Sequence, residues 1–390
     1  MQEELLQETQ SLCPECLRKI AALRKVANGN VYLEKSCPVH GDFRVLVWRD
    51  AELYRRWGRG EETRGPQKRL TATQRGCPYD CGLCPEHRAE TCTVLMEVTA
   101  SCDLHCPFCF ASSGKGTSDL DLGKIAGMYQ AIVDAGGPYP VQLSGGEPTV
   151  RDDLPHIVAL GKKMGFGHIQ LNTHGLRLAR DREYLLRLKE AGVDLVYLQF
   201  DGVSDDVYHQ LRGANLLDLK LQAIENCAQA RIGVILVPTL VPRVNDHQVG
   251  DIVRLAKRWV PVVKGIHFQP VSYFGRYPRT PRDEDRITIP DVLRALEAQT
   301  QGEVRATDFV PRRRSDSHCG FSGFFVLMED QHLQATTSFN HRQLEATHGS
   351  GCLKESPAQH VRRFISQRGR FIERSSGCCS TGAGGWQGFF

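Results

Sequence analysis

The chain lacks any apolar run approaching the ~18 residues a membrane-crossing helix requires, so no helical membrane span is expected. It has no block of like charge and no stripe of basic residues interleaved with aromatics. Its 49 Lys and Arg stand against 45 Asp and Glu, a net charge of +4, and nucleic acid is therefore not the expected partner. The opening MQEELLQETQ is polar and acidic, with neither the cationic start nor the apolar stretch of a secretory signal. A cytoplasmic protein is the expectation.

What the chain has in excess is cysteine, fifteen in 390 residues. In a short secreted protein that number would read as a disulfide framework. Here the chain is long enough for a full core and a smaller second unit, and the cysteines crowd into CxxC and CxxxCxxC spacings. Such spacings favour metal thiolates in a reducing compartment.

The order of apolar runs divides the chain. Residues 1–60 carry two strand-like stretches, VYLEK and FRVLVW, and read as a small metal-binding ribbon module. Residues 61–91 read as a linker bearing one cysteine triad, its polar EETRGPQKRLTATQR holding Gly and Pro. From 92 to 300 strand-length runs recur at 94–100, 141–146, 168–175, 195–202, 233–240 and 265–271, with helix-like stretches at 120–136, 181–192 and 219–230 between them. That alternation predicts βαβ units and a parallel sheet, most simply a partial (β/α)6 barrel, with a flat doubly wound sheet as the alternative. Residues 301–390 form a Cys-bearing extension with one strand expected at 323–330, a basic helix-like piece at 359–373 and a Gly/Ser-rich tail.

Two triads share one spacing, Cys77-x3-Cys81-x2-Cys84 and Cys102-x3-Cys106-x2-Cys109. Three thiolates so close suit three irons of a cubane. The second triad follows VLMEVTA, which places it on the loop after the first strand, at the face where β/α barrels hold their chemistry. The alternative is a zinc knuckle, for which His105 is the one local fourth ligand.

With Phe108 before its last cysteine, CDLHCPFC resembles the CxxxCxΦC signature of the radical S-adenosylmethionine (SAM) superfamily. The likeness continues in Ser144-Gly145-Gly146-Glu147-Pro148, similar to the GGE motif at the end of the second strand. There the resemblance implies binding of the SAM amino group, with glycines allowing close backbone approach. Asn172-Thr173-His174-Gly175 and Gln199-Phe200-Asp201-Gly202 end the next two strands, and Asn172, Gln199 and Asp201 resemble the family's ribose- and carboxylate-contacting positions. The match spans roughly 92–275. It implies a [4Fe–4S] cluster on Cys102, Cys106 and Cys109 whose fourth iron takes SAM. One-electron reduction then yields a 5′-deoxyadenosyl radical that activates a C–H bond, and a flavodoxin- or ferredoxin-like reductant is implied as partner.

The other cysteines read as further metal sites. Cys77, Cys81 and Cys84 with Cys92 suit an auxiliary Fe–S cluster on this resemblance; zinc on the triad with His87 or Cys92 is the alternative. Cys13-x2-Cys16-x20-Cys37-x2-His40 has zinc-ribbon spacing for one tetrahedral Zn or rubredoxin-like Fe. Cys319, Cys352, Cys378 and Cys379 are candidates for a second auxiliary cluster, or for exposed thiols in the tail. Cys227, at helical spacing in IENCAQA, reads as core.

The layout CPEC, CPVHG, GCPYDCGLCPEH and CxxxCxxC, with HFQPVSYFGR and RITIPDVLRALEAQT, resembles the tetraether lipid synthase-like group, nearest its bacterial TrsS-type branch. The chain departs from that pattern where two cysteines are expected before GFF and only Cys319 stands, beside Ser315, Ser317 and His318. The resemblance implies C–C bond formation or alkyl transfer on a small-molecule or lipid substrate, with transient membrane contact in the lipid case and an anaerobic host. Radical modification of a peptide, or a non-catalytic iron–sulfur scaffold or electron carrier, are the alternatives. His174, His267, Gln269 and Tyr273 fall at strand ends where they could face substrate.

Overall fold

The computed structural model describes residues 3–58, 65–66, 68–80, 82–87, 89–114, 116, 119–311 and 317–339, and the backbone alone of 386–389. Cys81, Cys352, Cys378, Cys379 and the 359–373 segment lie outside the described residues.

The chain opens with four antiparallel strands in meander order: β1 (Glu4–Leu12), β2 (Lys19–Ala27), β3 (Asn30–Cys37) and β4 (Gly41–Arg49). The two foreseen strands lie within β3 and β4. The first two strands went unforeseen because ELLQETQSL and KIAALRKVA mix charge with apolar residues and show no clean period of two. Helix α1 (Ala51–Trp57) follows, its Leu53 N–H donating to the Asp50 carboxylate at 2.9 Å.

A second sheet begins at β5 (Val94–Thr99). It continues through α2 (Leu122–Asp134), β6 (Val141–Gly145), α3 (Leu154–Lys163), β7 (Ile169–Thr173), α4 (Leu176–Arg180), α5 (Arg182–Ala191) and β8 (Leu195–Gln199). After α6 (Asp205–Arg212) and α7 (Leu217–Gln229) come β9 (Gly233–Val237), the short β10 (Thr239–Leu240), α8 (Val249–Arg258) and β11 (Val263–Ile266). All six main strands pair in parallel, in the order β5-β6-β7-β8-β9-β11. Strand order follows chain order without the reversal that defines a doubly wound sheet. Stretches such as LVYLQ and GVILV are apolar almost throughout because helices or core cover both faces.

The runs foreseen at 233–240 and 265–271 are each broken in two. Pro238 has no N–H to continue the ladder, so β10 pairs instead with β12 (Gln269–Pro270). Cys227 is 1% exposed inside the main core, as its helical spacing predicted.

Helix α9 (Ile289–Gln299) starts in a capping box between Thr288 and Asp291. The C-terminal side adds β13 (Val310–Pro311), β14 (Phe321–Ser322), β15 (Phe325–Met328) and β16 (Leu333–Ala335), with β17 (Trp386–Phe389) on the other edge of β15. These elements share a core with the ribbon: Val31, Trp48, Tyr54 and Trp57 pack with Ile289, Val292, Leu296, Phe325 and Leu327. Arg49 seals the seam, donating to Asp291 at 2.7 Å and to the Arg286 carbonyl at 2.8 Å. The ribbon and the described residues between 289 and 339 thus share one packed core, although sequence order sets them far apart.

At the amino-terminal edge of β7, His168 is 3% exposed, and burial holds its imidazole down to about 4 despite the attraction of Asp194. Because the unfolded ring titrates near ~6.5, the unfolded chain takes up the proton first, and stability falls as pH drops from ~6.5 toward 4. The expected loss between pH 7.5 and pH 5 is about 2 kcal/mol from this residue alone. Comparing urea midpoints of the wild type and His168→Gln at both pH values checks this; an equal pH slope in the two proteins would refute it.

Candidate active site

The loop after β5 carries Cys102, Cys106 and Cys109, all half-buried. Its ends are pinned by backbone: Cys102 N–H donates to Gly114 O at 3.1 Å, while Cys109 and Arg276 exchange N–H···O bonds of 2.9 and 2.8 Å. Burial, reinforced by the negative charges of Glu147, Cys106 and Asp103, pushes the Cys102 thiol up to about 12, so a metal has to displace its proton.

Among the described residues, two groups of three or more potential ligand atoms converge within 4.8 Å, Cys13-Cys16-Cys37-His40 and Cys102-Asp103-His174. The three loop cysteines do not form such a group. That spread suits a cluster, in which each thiolate takes a different iron, better than one tetrahedral ion.

Gly145 and Gly146, at the end of β6, pack directly against the backbone that leads into the cysteine loop. A Cβ on Gly145 would stand 2.0 Å from Thr99 O, and one on Gly146 would stand 2.2 Å from Ser101 O. Gly145 also has φ +124°, a region that favours glycine. The N–H groups of Gly146 and Glu147 donate to those same carbonyls, both at 2.8 Å. These glycines let the end of β6 close onto the root of the cysteine loop.

Glu147 is 1% exposed and its carboxylate is fully engaged. It accepts from Thr149 N–H at 3.0 Å, Thr173 Oγ1 at 2.6 Å and His174 N–H at 2.7 Å. Pro148, also buried, starts a single 3-10 turn. Glu147 therefore knits β6 to β7.

Asn172 donates to Ser144 Oγ at 3.4 Å, and its Oδ1 is buried without a partner. Such an acceptor at the carboxyl end of the sheet fits a ligand donor.

Gln199 and Asp201 belong to a buried network that the motifs alone did not reveal. Asp201 is fully buried and takes a two-pronged bond from Arg212, Nε at 2.6 Å and Nη2 at 2.9 Å. Arg212 Nη1 continues to the Phe108 carbonyl of the cysteine loop at 3.2 Å. Gln199 bonds Asp201 and accepts from Lys220 Nζ at 2.7 Å, and Lys220 donates again to the His174 carbonyl at 2.6 Å. Burial holds Lys220 down to about 7 against the pull of Asp201. A signal for Lys220 existed: it shares the helical stripe of Ala223, Ile224 and Cys227, where a charge is out of place. Arg212 sits before Gly213 at a helix end and carries no such mark.

The other strand-end residues separate. His174 Nε2 lies 2.6 Å from Asp103 Oδ1, beside Cys102, and is 8% exposed. Tyr273 donates its hydroxyl to Asp285 O. His267 lies against Tyr197, and Gln269 is exposed on β12. Phe108 packs with Val207, Leu211 and Val241. Only His174 is drawn to the cysteine loop.

In the ribbon, His40 Nδ1 is 3.5 Å from both Cys13 and Cys37 Sγ, and Cys16 and Cys37 sulfurs are 3.9 Å apart. Tetrahedral zinc with bonds of about 2.3 Å needs sulfurs about 3.8 Å apart, so the set fits one ion. Backbone donation from Val39, with help from His40, brings the Cys37 thiol down to about 6. Cys77 lines one cavity with Cys16, and Tyr79 Oη reaches Cys16 O at 3.5 Å, so the ribbon abuts the first triad's loop. Cys84 and Cys92 are half-buried and Cys77 exposed. Cys319 is exposed, with its neighbour His318 stacked on Tyr54.

A cysteine triad on the first loop of an open parallel sheet, with buried polar groups gathered at the same strand ends, defines an iron–sulfur enzyme of the α/β class. The family model of the radical SAM superfamily matches residues 96–256, and that of the HMPTM N-terminal zinc ribbon domain matches 5–49. The chain is 42% identical over 356 residues to a 7,8-dihydro-6-hydroxymethylpterin dimethyltransferase of Methanocaldococcus jannaschii, covering 85% of this chain and 70% of the relative. It is 27% identical over 162 residues to a probable GTP 3′,8-cyclase of Sulfolobus acidocaldarius, covering 41% of this chain and 50% of that one. Streptococcus suis SuiB, solved with its precursor peptide, superposes with a TM-score of 0.44 at 15% identity, over 54% of this chain and 45% of that one. The chain belongs to the radical SAM superfamily. It is an enzyme, its cofactors are a [4Fe–4S] cluster and SAM, and the non-catalytic carrier alternative is set aside. No described helix is long and apolar enough to cross a membrane.

Proposed function

We propose that Cys102, Cys106 and Cys109 hold the [4Fe–4S] cluster and that SAM docks over β6, β7 and β8, starting alkyl transfer to a small-molecule substrate. The carrying observation is the half-buried triad on the loop after β5 together with the unpartnered Asn172 Oδ1 near the end of β7. When bound, the cluster and SAM supply a 5′-deoxyadenosyl radical. The chain's own residues orient and exclude water. Gly145 and Gly146 anchor the loop on β6, Asn172 offers an acceptor, and the Asp201–Arg212–Gln199–Lys220 network holds the strand ends rigid beneath.

The strictly sequential strand order supports a partial (β/α)6 barrel with the site at its carboxyl face. In the same reading, the ribbon ligands Cys13, Cys16, Cys37 and His40 hold one Zn or Fe. Cys77, Cys81, Cys84 and Cys92 hold an auxiliary cluster, the chain works in the cytoplasm with a flavodoxin-like reductant, and it sits near the TrsS-type branch. The relative's name makes a reduced hydroxymethylpterin the first substrate to test.

A second reading, with an apolar substrate such as a lipid tail and C–C bond formation, rests on Phe110 and Phe274. These rings, each 57% exposed, meet edge to face at 6.0 Å beside Cys109. Anaerobically reconstituted enzyme, reduced with SAM and offered each substrate in turn, separates the two readings. Alkyl-transfer reading: 5′-deoxyadenosine and methylated pterin. Apolar reading: 5′-deoxyadenosine and product with the lipid alone. Absence of 5′-deoxyadenosine after full iron loading would sink both.

A further inference from the structure

The loop joining β12 to α9 packs directly on the cysteine loop. Gly275 has φ +71°, and a Cβ there would stand 2.2 Å from Phe110 O and 2.6 Å from Cys109 O. Next to it, Arg276 trades backbone bonds with Cys109, and its side chain donates from Nε to Cys106 O at 2.8 Å and from Nη2 to Ser113 O at 3.1 Å. One residue thus satisfies carbonyls at the middle and end of the loop and brings a permanent positive charge to the carbonyl of a cysteine ligand.

We propose that Arg276, seated by Gly275, is a positioning residue that clamps the 102–114 loop for its cluster and raises the cluster's reduction potential. The inference rests on the assignment of Cys102, Cys106 and Cys109 as cluster ligands. Physically, loop carbonyls unpaired at a half-buried site open to water, which loosens the thiols they carry. A nearby cation favours whichever cluster state bears more negative charge, the reduced one. Reduction is the step that must precede SAM cleavage, so this arginine makes the cluster easier to reduce. Nothing in CDLHCPFC encodes the partner, since Arg276 lies some 170 residues away along the chain.

Three variants test the clamp: Arg276→Gln, Arg276→Lys and Gly275→Ala. The first readout is amide hydrogen exchange across 102–114 in the protein as isolated, before and after iron reconstitution, so that it does not depend on the cluster. Arg276→Gln and Gly275→Ala are expected to exchange there on the order of tenfold faster, with the ribbon unchanged. The second is the midpoint potential of the SAM-free cluster in reconstituted protein, with Cys106→Ala marking the signal that belongs to this loop. Arg276→Gln should shift it to more negative values, and Arg276→Lys should restore most of that shift while leaving exchange fast. Unchanged exchange overturns the clamp, and unchanged potential overturns the electrostatic role. If Cys106→Ala removes no iron, the ligand assignment fails instead, and the exchange result still decides the clamp.

Discussion

Cys106→Ala is expected to remove about four irons per chain, the content of one [4Fe–4S] cluster, and to bring 5′-deoxyadenosine formation down to background. Three thiolates hold three irons, and a loop left with two can no longer hold the cubane. His174, the nearest buried base, is already paired with Asp103. The ribbon metal should remain, because its ligands lie in the β1–β2 turn, at the end of β3 and in the β3–β4 turn, apart from this loop. Metal analysis of wild type and variant, with product assay, checks both halves. Retention of all iron with lost activity would mean that Cys106 acts otherwise than as a ligand.

The largest stability effect is expected at the Asp201–Arg212 pair. Arg212→Met leaves a carboxylate of zero exposure without its counter-charge, and removing one partner of such a buried pair costs about 3–5 kcal/mol. Thr239 N–H, at 3.0 Å, and Gln199 still donate to Asp201, so the lower part of that range is favoured. The same change frees the Phe108 carbonyl, and the cysteine loop should therefore lose iron more readily. The double variant Asp201→Leu/Arg212→Met should recover part of the lost stability, because the buried carboxylate is then no longer stranded. Guanidinium denaturation of the two proteins measures this, and a loss under about 1 kcal/mol for Arg212→Met would contradict it.

Much of the site was legible because its chemistry is local. Cys102, Cys106 and Cys109 fall within eight residues on one loop, and Gly145-Gly146-Glu147 stands at a recognisable strand end. Their roles were less legible. Glu147 ends as the tie between two strands, and the glycines answer to the backbone of Thr99 and Ser101. His174 and Tyr273 bond Asp103 and Asp285 O, partners no periodicity could point to.

By itself, then, the sequence determined the alternation of strands and helices, the metal-ligand spacings and the face on which the chemistry stands. Each of these is written in short-range order: period, spacing and punctuation by Gly and Pro. Tertiary structure alone decided that residues beyond 288 complete the ribbon's core and that Arg212 and Lys220 fill the space beneath the strand ends. It also decided that Arg276 closes over the cysteine loop. These are contacts between distant segments, set by which surfaces and charges can be buried together, and no window of sequence contains both partners.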